Sequence, residues 1–312
     1  MTSKTTAMTL PPTAIDPLVS SHHVPHALYN LALSPMRWNL SHLAEDMGLA
    51  FVDCPVAGHT WGVNVDHEPR SGIVEWFREV GDPWMLKGRV DRRPKPGSDL
   101  AADEAGGLKP SVAHHGVVIA LDHLGSVIDA MVSDESMRHY AHFSTLRTVL
   151  LASARVRWML ESDSSQIRQI RCLQTEYVNL VEQRKAFRTM ASTAANGALK
   201  RQACEILAGF EAPMSELEVR ATALGMAELV PPPDTLSVLQ QLVKANTTEG
   251  FVALQLWRMG SSTAHGYYWS DTQRPDPHLF DDDMFDMALQ GATLFVREAM
   301  GLYDQRAAGR QS

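Results

Sequence analysis

The chain has 312 residues, 45% of them hydrophobic, enough to bury a large core in one or two domains. Its formal charge of −8 and pI near 5.9 argue against a broad basic face for non-specific nucleic-acid binding, but leave room for a small basic pocket. No run reaches the ~18 consecutive apolar residues of a membrane span, and residues 1–10 lack the apolar core of a secretory signal. The three cysteines, Cys54, Cys172 and Cys204, lie far apart and form no CxxC pair. They suit reduced, mostly buried thiols, so a cytoplasmic protein without membrane contact is expected.

Residues 1–20 are small and polar around Pro11-Pro12 and read as a disordered tail. Residues 21–110 read as an irregular N-terminal region with minor β. In it, Ser34-Pro35 starts a helix over Met36–Met47, and Phe51-Val52-Asp53 and Thr60-Trp61-Gly62-Val63 are candidate strands. Trp76, Phe77 and Trp84 suggest a small apolar cluster. Arg92-Arg93-Pro94-Lys95-Pro96-Gly97-Ser98 through Gly106-Gly107 reads as a mobile linker. From Pro110 onward apolar residues recur at helical spacing: Val117 to Met131, then Phe143 to Leu160, then Ile167 to Val181. Shorter helices follow near Ala198–Phe210, from a capped start at Ser215-Glu216, and over Thr235–Ala245 behind Pro231-Pro232-Pro233-Asp234. Two more are expected from about Thr248 to Gly266 and from Asp281 to about Leu302. The expected fold is mostly α: a helical bundle over 111–303 behind the irregular region, with a short C-terminal tail over 304–312.

The stretch Leu254-Gln-Leu-Trp-Arg258-Met-Gly-Ser-Ser-Thr-Ala-His265-Gly266 carries the main chemical signal. Arg258 and His265 are seven residues apart, which returns them to nearly one helix face roughly 10 Å apart along the axis. With Gln255, Ser261 and Ser262 they form a polar stripe on a helix whose preceding turns are apolar. A buried stripe of this kind must be fully paired or form a site. Histidine can move the proton of a ribose hydroxyl near neutral pH. Arginine can clamp a phosphate and stabilise its extra negative charge. Ser262, one turn from Arg258, is positioned to add a hydrogen bond. The competing expectation is a structural network pairing the stripe with Asp122, Asp129 or Glu161 on neighbouring helices. That would make the chain a non-catalytic helical interaction or scaffold protein.

Arg258 to His265 is an R-x6-H pattern near the end of an all-helical bundle. It resembles the motif of the HEPN superfamily, over roughly residues 112–303. The segment Thr145–Leu160, with the late Ser261-x-x-x-His265-Gly266, also resembles uncharacterised actinobacterial proteins grouped with that superfamily. The resemblance implies a metal-independent endoribonuclease, often a toxin or antiphage effector, with Arg258 and His265 at the catalytic site; Ser262 joins them as a candidate by its helix position alone. It implies RNA as substrate, no cofactor and no metal, an antitoxin or other protein partner, and a homodimer that sets two Arg–His pairs around one phosphate. Met259 stands where the family commonly has a polar residue, and no acidic residue lies within Leu146–Ala154.

Other constellations carry weaker signals. His22, His23 and His26, His114 and His115, and His139 and His142 cluster, and pairs at i, i+3 can bind zinc. No HExxH or repeated ExxH accompanies them. Arg147, Arg155, Arg157, Arg168, Arg171, Arg184 and Arg188 are candidates for an anion-binding groove or for a solvated, ion-paired face with Glu161, Glu176 and Glu182. The acidic segment Ser215–Leu242 holds two helices around a proline turn, a pattern that also occurs in helix-turn-helix DNA readers.

Overall fold

The computed structural model describes residues 68–86, 93–133, 137–244, 247–274, 276 and 278–309. Over these residues the protein is a bundle of helices, with no strand among them. The helix expected at Met36–Met47, the tail over 1–20 and both candidate strands lie outside the described residues. Helices α1 (Arg70–Trp76) and α2 (Asp82–Leu86) are joined by a π-helical turn (Phe77–Gly81). They are followed by α3 (Asp99–Ala105), α4 (Pro110–Val132), α5 (His139–Leu160), α6 (Ser165–Thr193), α7 (Gly197–Ala208) and α8 (Glu211–Ala223). The last are α9 (Thr235–Leu242), α10 (Thr248–Ala264) and α11 (Asp282–Ala307).

Helix α5 is the hub. It packs against α4, α9, α10 and α11, and its Phe143, Leu146, Val149, Leu150, Ala154 and Val156 are wholly buried. Phe143, Leu146, Leu150 and Ala154 recur every three or four positions, the spacing that keeps an apolar stripe facing inward, and Val149 and Val156 widen it. The inward stripes of α4 (Val117, Leu121, Leu124) and α11 (Phe285, Leu289, Phe295) complete one continuous core. By length and composition α4 would also suit a membrane span, yet nine of its residues are buried in this bundle.

The expectation of an irregular region and linker up to residue 110 is corrected for its described part. Ser98 caps α3, its hydroxyl accepting from the Ala101 amide at 3.1 Å. Leu100 and Leu108 are buried, and Asp103 is completely buried against Arg168 of α6. The Arg168 Nε donates to Asp103 Oδ2 at 2.6 Å and its Nη2 to Oδ1 at 3.0 Å. Glycine and proline flank this segment, but one salt bridge and two leucines fix it. At the other end, α11 continues past the expected stop near Leu302. Tyr303 and Ala307 are buried, and Arg306 bonds Asp99 at 2.7 Å, so residues 304–307 are part of the bundle. Ser215 is interior to α8, which starts four residues earlier at Glu211.

Helix α6 is 29 residues long, about 43 Å at 1.5 Å per residue. Its first half is fixed by Arg168, Cys172, Leu173 and Glu176, all buried. Its second half is largely exposed and packs chiefly on α7, and Phe187 meets Phe210, the N-cap of α8, at 6.1 Å. A small second core, Leu173, Leu217 and Ala221, joins α6 to α8.

Candidate functional site

Helix α10 carries the Arg258–His265 stripe. Its start is fixed by Thr247, whose hydroxyl accepts from the Gly250 amide at 3.1 Å. Its end follows from Gly266, which has φ +70°, a conformation that side chains resist. The Gly266 amide bonds the Thr263 carbonyl at 3.2 Å and the Tyr267 amide bonds the Ser262 carbonyl at 2.9 Å. This is a Schellman ending, and it places His265 at the C-cap, the residue just after the helix.

Contrary to expectation, the stripe is not uniformly buried: of its residues only Ser262 is buried, and its two ends, Arg258 and His265, are exposed. Val252, Ala253, Leu256, Met259 and Gly260 face the core, whereas Arg258 and His265 are exposed and Trp257 is half-buried. The apolar run before Arg258 divides between an inner and an outer face. The Arg258 guanidinium lies 5.5 Å from the Trp257 ring centroid. Among the described residues neither Arg258 nor His265 makes an ion pair. Asp122, Asp129 and Glu161, the carboxylates expected to close a structural network, are all exposed. The Glu161 carbonyl accepts from Arg306 instead.

Ser262 and Ser261 have different roles. Ser262 is 1% exposed. Its hydroxyl donates to the Tyr267 carbonyl at 2.8 Å and lies 3.5 Å from the Ser270 hydroxyl, holding the loop after the helix. Ser261 lies three residues after Arg258 and four before His265. Its hydroxyl accepts from Arg147 Nε of α5 at 2.9 Å.

Arg147 reaches the stripe because the two helices touch at Gly260. A Cβ there would sit 2.5 Å from Arg147 Cβ and 2.9 Å from the Phe143 carbonyl oxygen. Beside this crossing the Ser144 and Thr263 hydroxyls meet at 2.9 Å. Burial pulls the Arg147 guanidinium below its ordinary pKa, and among the described residues no carboxylate pairs with it. The face therefore gathers two guanidinium groups without carboxylate partners, a hydroxyl and an exposed imidazole. Such a group can hold an anion between donors and move a proton beside it. Arg147 was one of seven arginines legible as a groove candidate. Only the glycine crossing selects it.

Three of the other six arginines serve the fold. Arg168 is paired with Asp103, Arg157 with Glu249 and Glu298 at 3.2 and 2.5 Å, and Arg171 stacks on Trp158 at 5.1 Å. Arg184 and Arg188 lie on the outer half of α6. The histidine clusters do not converge, and no group of three metal-binding side chains occurs among the described residues. His114 stacks on Trp84 at 5.1 Å, and His139 lies against Phe143 at 4.6 Å. His22, His23 and His26 lie outside the described residues. Helix α9 buries Val238 and Leu239 in the core and leaves Gln240 and Gln241 exposed.

Compared with protein-family models, curated proteins and solved structures, the chain gives no significant match.

Proposed function

We propose that the protein is a HEPN-like, metal-independent endoribonuclease, acting as a toxin or antiphage effector in the cytoplasm. The observation that supports this reading is the exposed α10 face. Arg258 and His265 stand there beside Arg147 and Ser261, with no carboxylate among the described residues to neutralise the guanidinium groups. His265 takes the proton of a ribose 2′-hydroxyl, whose oxygen attacks the adjacent phosphorus. The bond to the 5′-oxygen breaks, leaving a 2′,3′-cyclic phosphate. The imidazolium returns its proton to the departing oxygen, so nothing but RNA is consumed. Arg258, with Arg147 beside it, holds the phosphate and stabilises its added charge. Ser262 supports this face through the loop it anchors. Pairing of two copies would set a second Arg–His pair on the same phosphate.

The test is RNA cleavage by the purified protein with and without EDTA, alongside Arg258→Ala and His265→Ala. Cleavage is expected to survive EDTA and to be lost in both variants, with their melting temperatures near that of the parent because both side chains are exposed. Absence of cleavage by the parent, or full activity in both variants, would overturn the proposal. A second reading, a non-catalytic interaction protein, draws on the exposed Met190, Leu199 and Ile206 of α6 and α7. These suit a partner protein. On that reading the parent protein cleaves nothing.

A further inference from the structure

The loop after α10 displays Tyr267, Tyr268 and Trp269 in succession, with relative exposures of 62%, 76% and 42%. The only other exposed aromatic residue among the described ones is Tyr140, and it belongs to the same place: its hydroxyl bonds Asp271 at 2.9 Å. The remaining described aromatic side chains are buried or half-buried. The concentration of exposed rings at one loop is therefore not explained by packing.

The loop backbone is held tightly. Ser262, buried beneath it, donates to the Tyr267 carbonyl, and Ser270 is completely buried. The Asp271 amide bonds the Tyr268 carbonyl at 3.0 Å, and the Thr272 amide bonds the Trp269 carbonyl at 3.2 Å. Arg274, with its side chain buried, bonds Asp271 at 3.2 Å and also the Leu279 carbonyl. Asp271 is the carboxylate nearest the rings in sequence, and Arg274 and Tyr140 engage it. The rings are thus presented to solvent on a fixed frame. The first stands 5.8 Å from the His265 ring, at 35° to it.

We infer that Tyr267, Tyr268 and Trp269 form a base-stacking platform that positions a single-stranded nucleic acid with its backbone on Arg258 and Arg147. Aromatic faces accept any unpaired base, and adjoining arginines hold the phosphates. This combination binds single strands with little sequence preference. A duplex keeps its bases stacked and offers the rings nothing. The inference rests on the nuclease reading for the identity of the cleaved strand, but its binding step can be tested separately.

The experiment is fluorescence anisotropy with the full-length protein. The probe is a fully 2′-O-methylated, and so uncleavable, single-stranded oligonucleotide about twelve nucleotides long. Tyr267→Ala/Tyr268→Ala/Trp269→Ala should weaken binding by roughly 100-fold or more, since each of the three lost stacks is worth about 5-fold at least. Its melting temperature should stay near the parent's because the rings are exposed. Tyr267→Phe/Tyr268→Phe keeps the rings and should retain binding. Arg258→Ala should weaken binding and flatten its salt dependence, and the matching duplex should bind more weakly than the single strand. A triple variant within about two-fold of the parent, or a parent that does not bind the oligonucleotide, overturns the platform. Cleavage of unmodified RNA is scored separately with His265→Ala. Ring-dependent binding without cleavage leaves the platform standing and removes the nuclease. Cleavage with ring-independent binding does the reverse.

Discussion

Asp103→Ala tests whether the segment before α4 belongs to the bundle. In the parent, the Asp103 carboxylate is 0% exposed and receives two donors from Arg168 and the hydroxyl of Ser165. Removing it leaves Arg168 with only the Ser162 and Asp163 carbonyls, at 2.8 and 3.0 Å, both on Nη1. Nε and Nη2 then stay charged and without an acceptor in a site where the side chain is 3% exposed. Breaking a buried pair on one side costs about 3–5 kcal/mol. At about 2–4 °C per kcal/mol for a domain of this size, the melting temperature should fall on the order of 10 °C. Urea unfolding followed by circular dichroism measures the free energy directly. The double variant Asp103→Leu/Arg168→Met should recover much of the loss, because both desolvated charges go together. Asp163→Ala, which removes a partner of Arg306 that is 99% exposed, should be nearly neutral. A cost below about 1 kcal/mol for Asp103→Ala, or a double variant as unstable as the single one, would refute the claim that α3 is locked into the core.

Three further outcomes are expected. Burial, and next the Arg274 charge, hold the His139 imidazole below its ordinary pKa, against the opposing pull of Asp281 and Asp271. The unfolded histidine gains its proton near pH 6.5 while the folded one resists it, so stability should fall as pH drops from about 6.5 towards the lower folded value. Because neither ring nitrogen of His139 has a partner, His139→Phe should raise the melting temperature and shrink this slope, and an unchanged pH profile would count against it. Gly260→Ala should cost about 1–3 kcal/mol by forcing α10 away from Arg147 and the Phe143 carbonyl, read by chemical denaturation; a neutral result would mean the helices do not touch there. Burial pushes the Cys172 thiol up to about 12, whereas Cys204 is exposed, so iodoacetamide with peptide mapping should label Cys204 in the native protein and Cys172 only after unfolding.

The long helices were legible because their apolar residues recur at one spacing and their ends carry recognisable caps. Asp281 and Asp234 cap α11 and α9 as their positions suggested, their side chains accepting from Met284 at 3.0 Å and Ser237 at 2.9 Å. Helix α3 was not legible, because a short helix among prolines and glycines is fixed by a partner 65 residues away. The site was legible in part. The spacing of Arg258 and His265 placed them on one face, but composition around them suggested burial, and an apolar run can hide an amphipathic helix whose outer face begins with a tryptophan. Ser262 and Ser261 are neighbours in sequence. Only the packing of α10 on α5 decides which one turns inward and which meets Arg147. Cys204 was expected among buried thiols, yet α7 buries only Ala203.

Helix α6 belongs to two environments along one unbroken backbone. Its first turns are clamped by charged groups inside the bundle, and its last turns have α7 as their main support. Amide hydrogens should therefore exchange in a gradient, slowest near Cys172 and faster towards Thr193, where a local opening exposes little apolar surface. The outer hairpin can melt and re-form while the hub around α5 stays closed. Because the helix is continuous, opening is expected to begin at its C-terminal turns, beside the loop to Gly197.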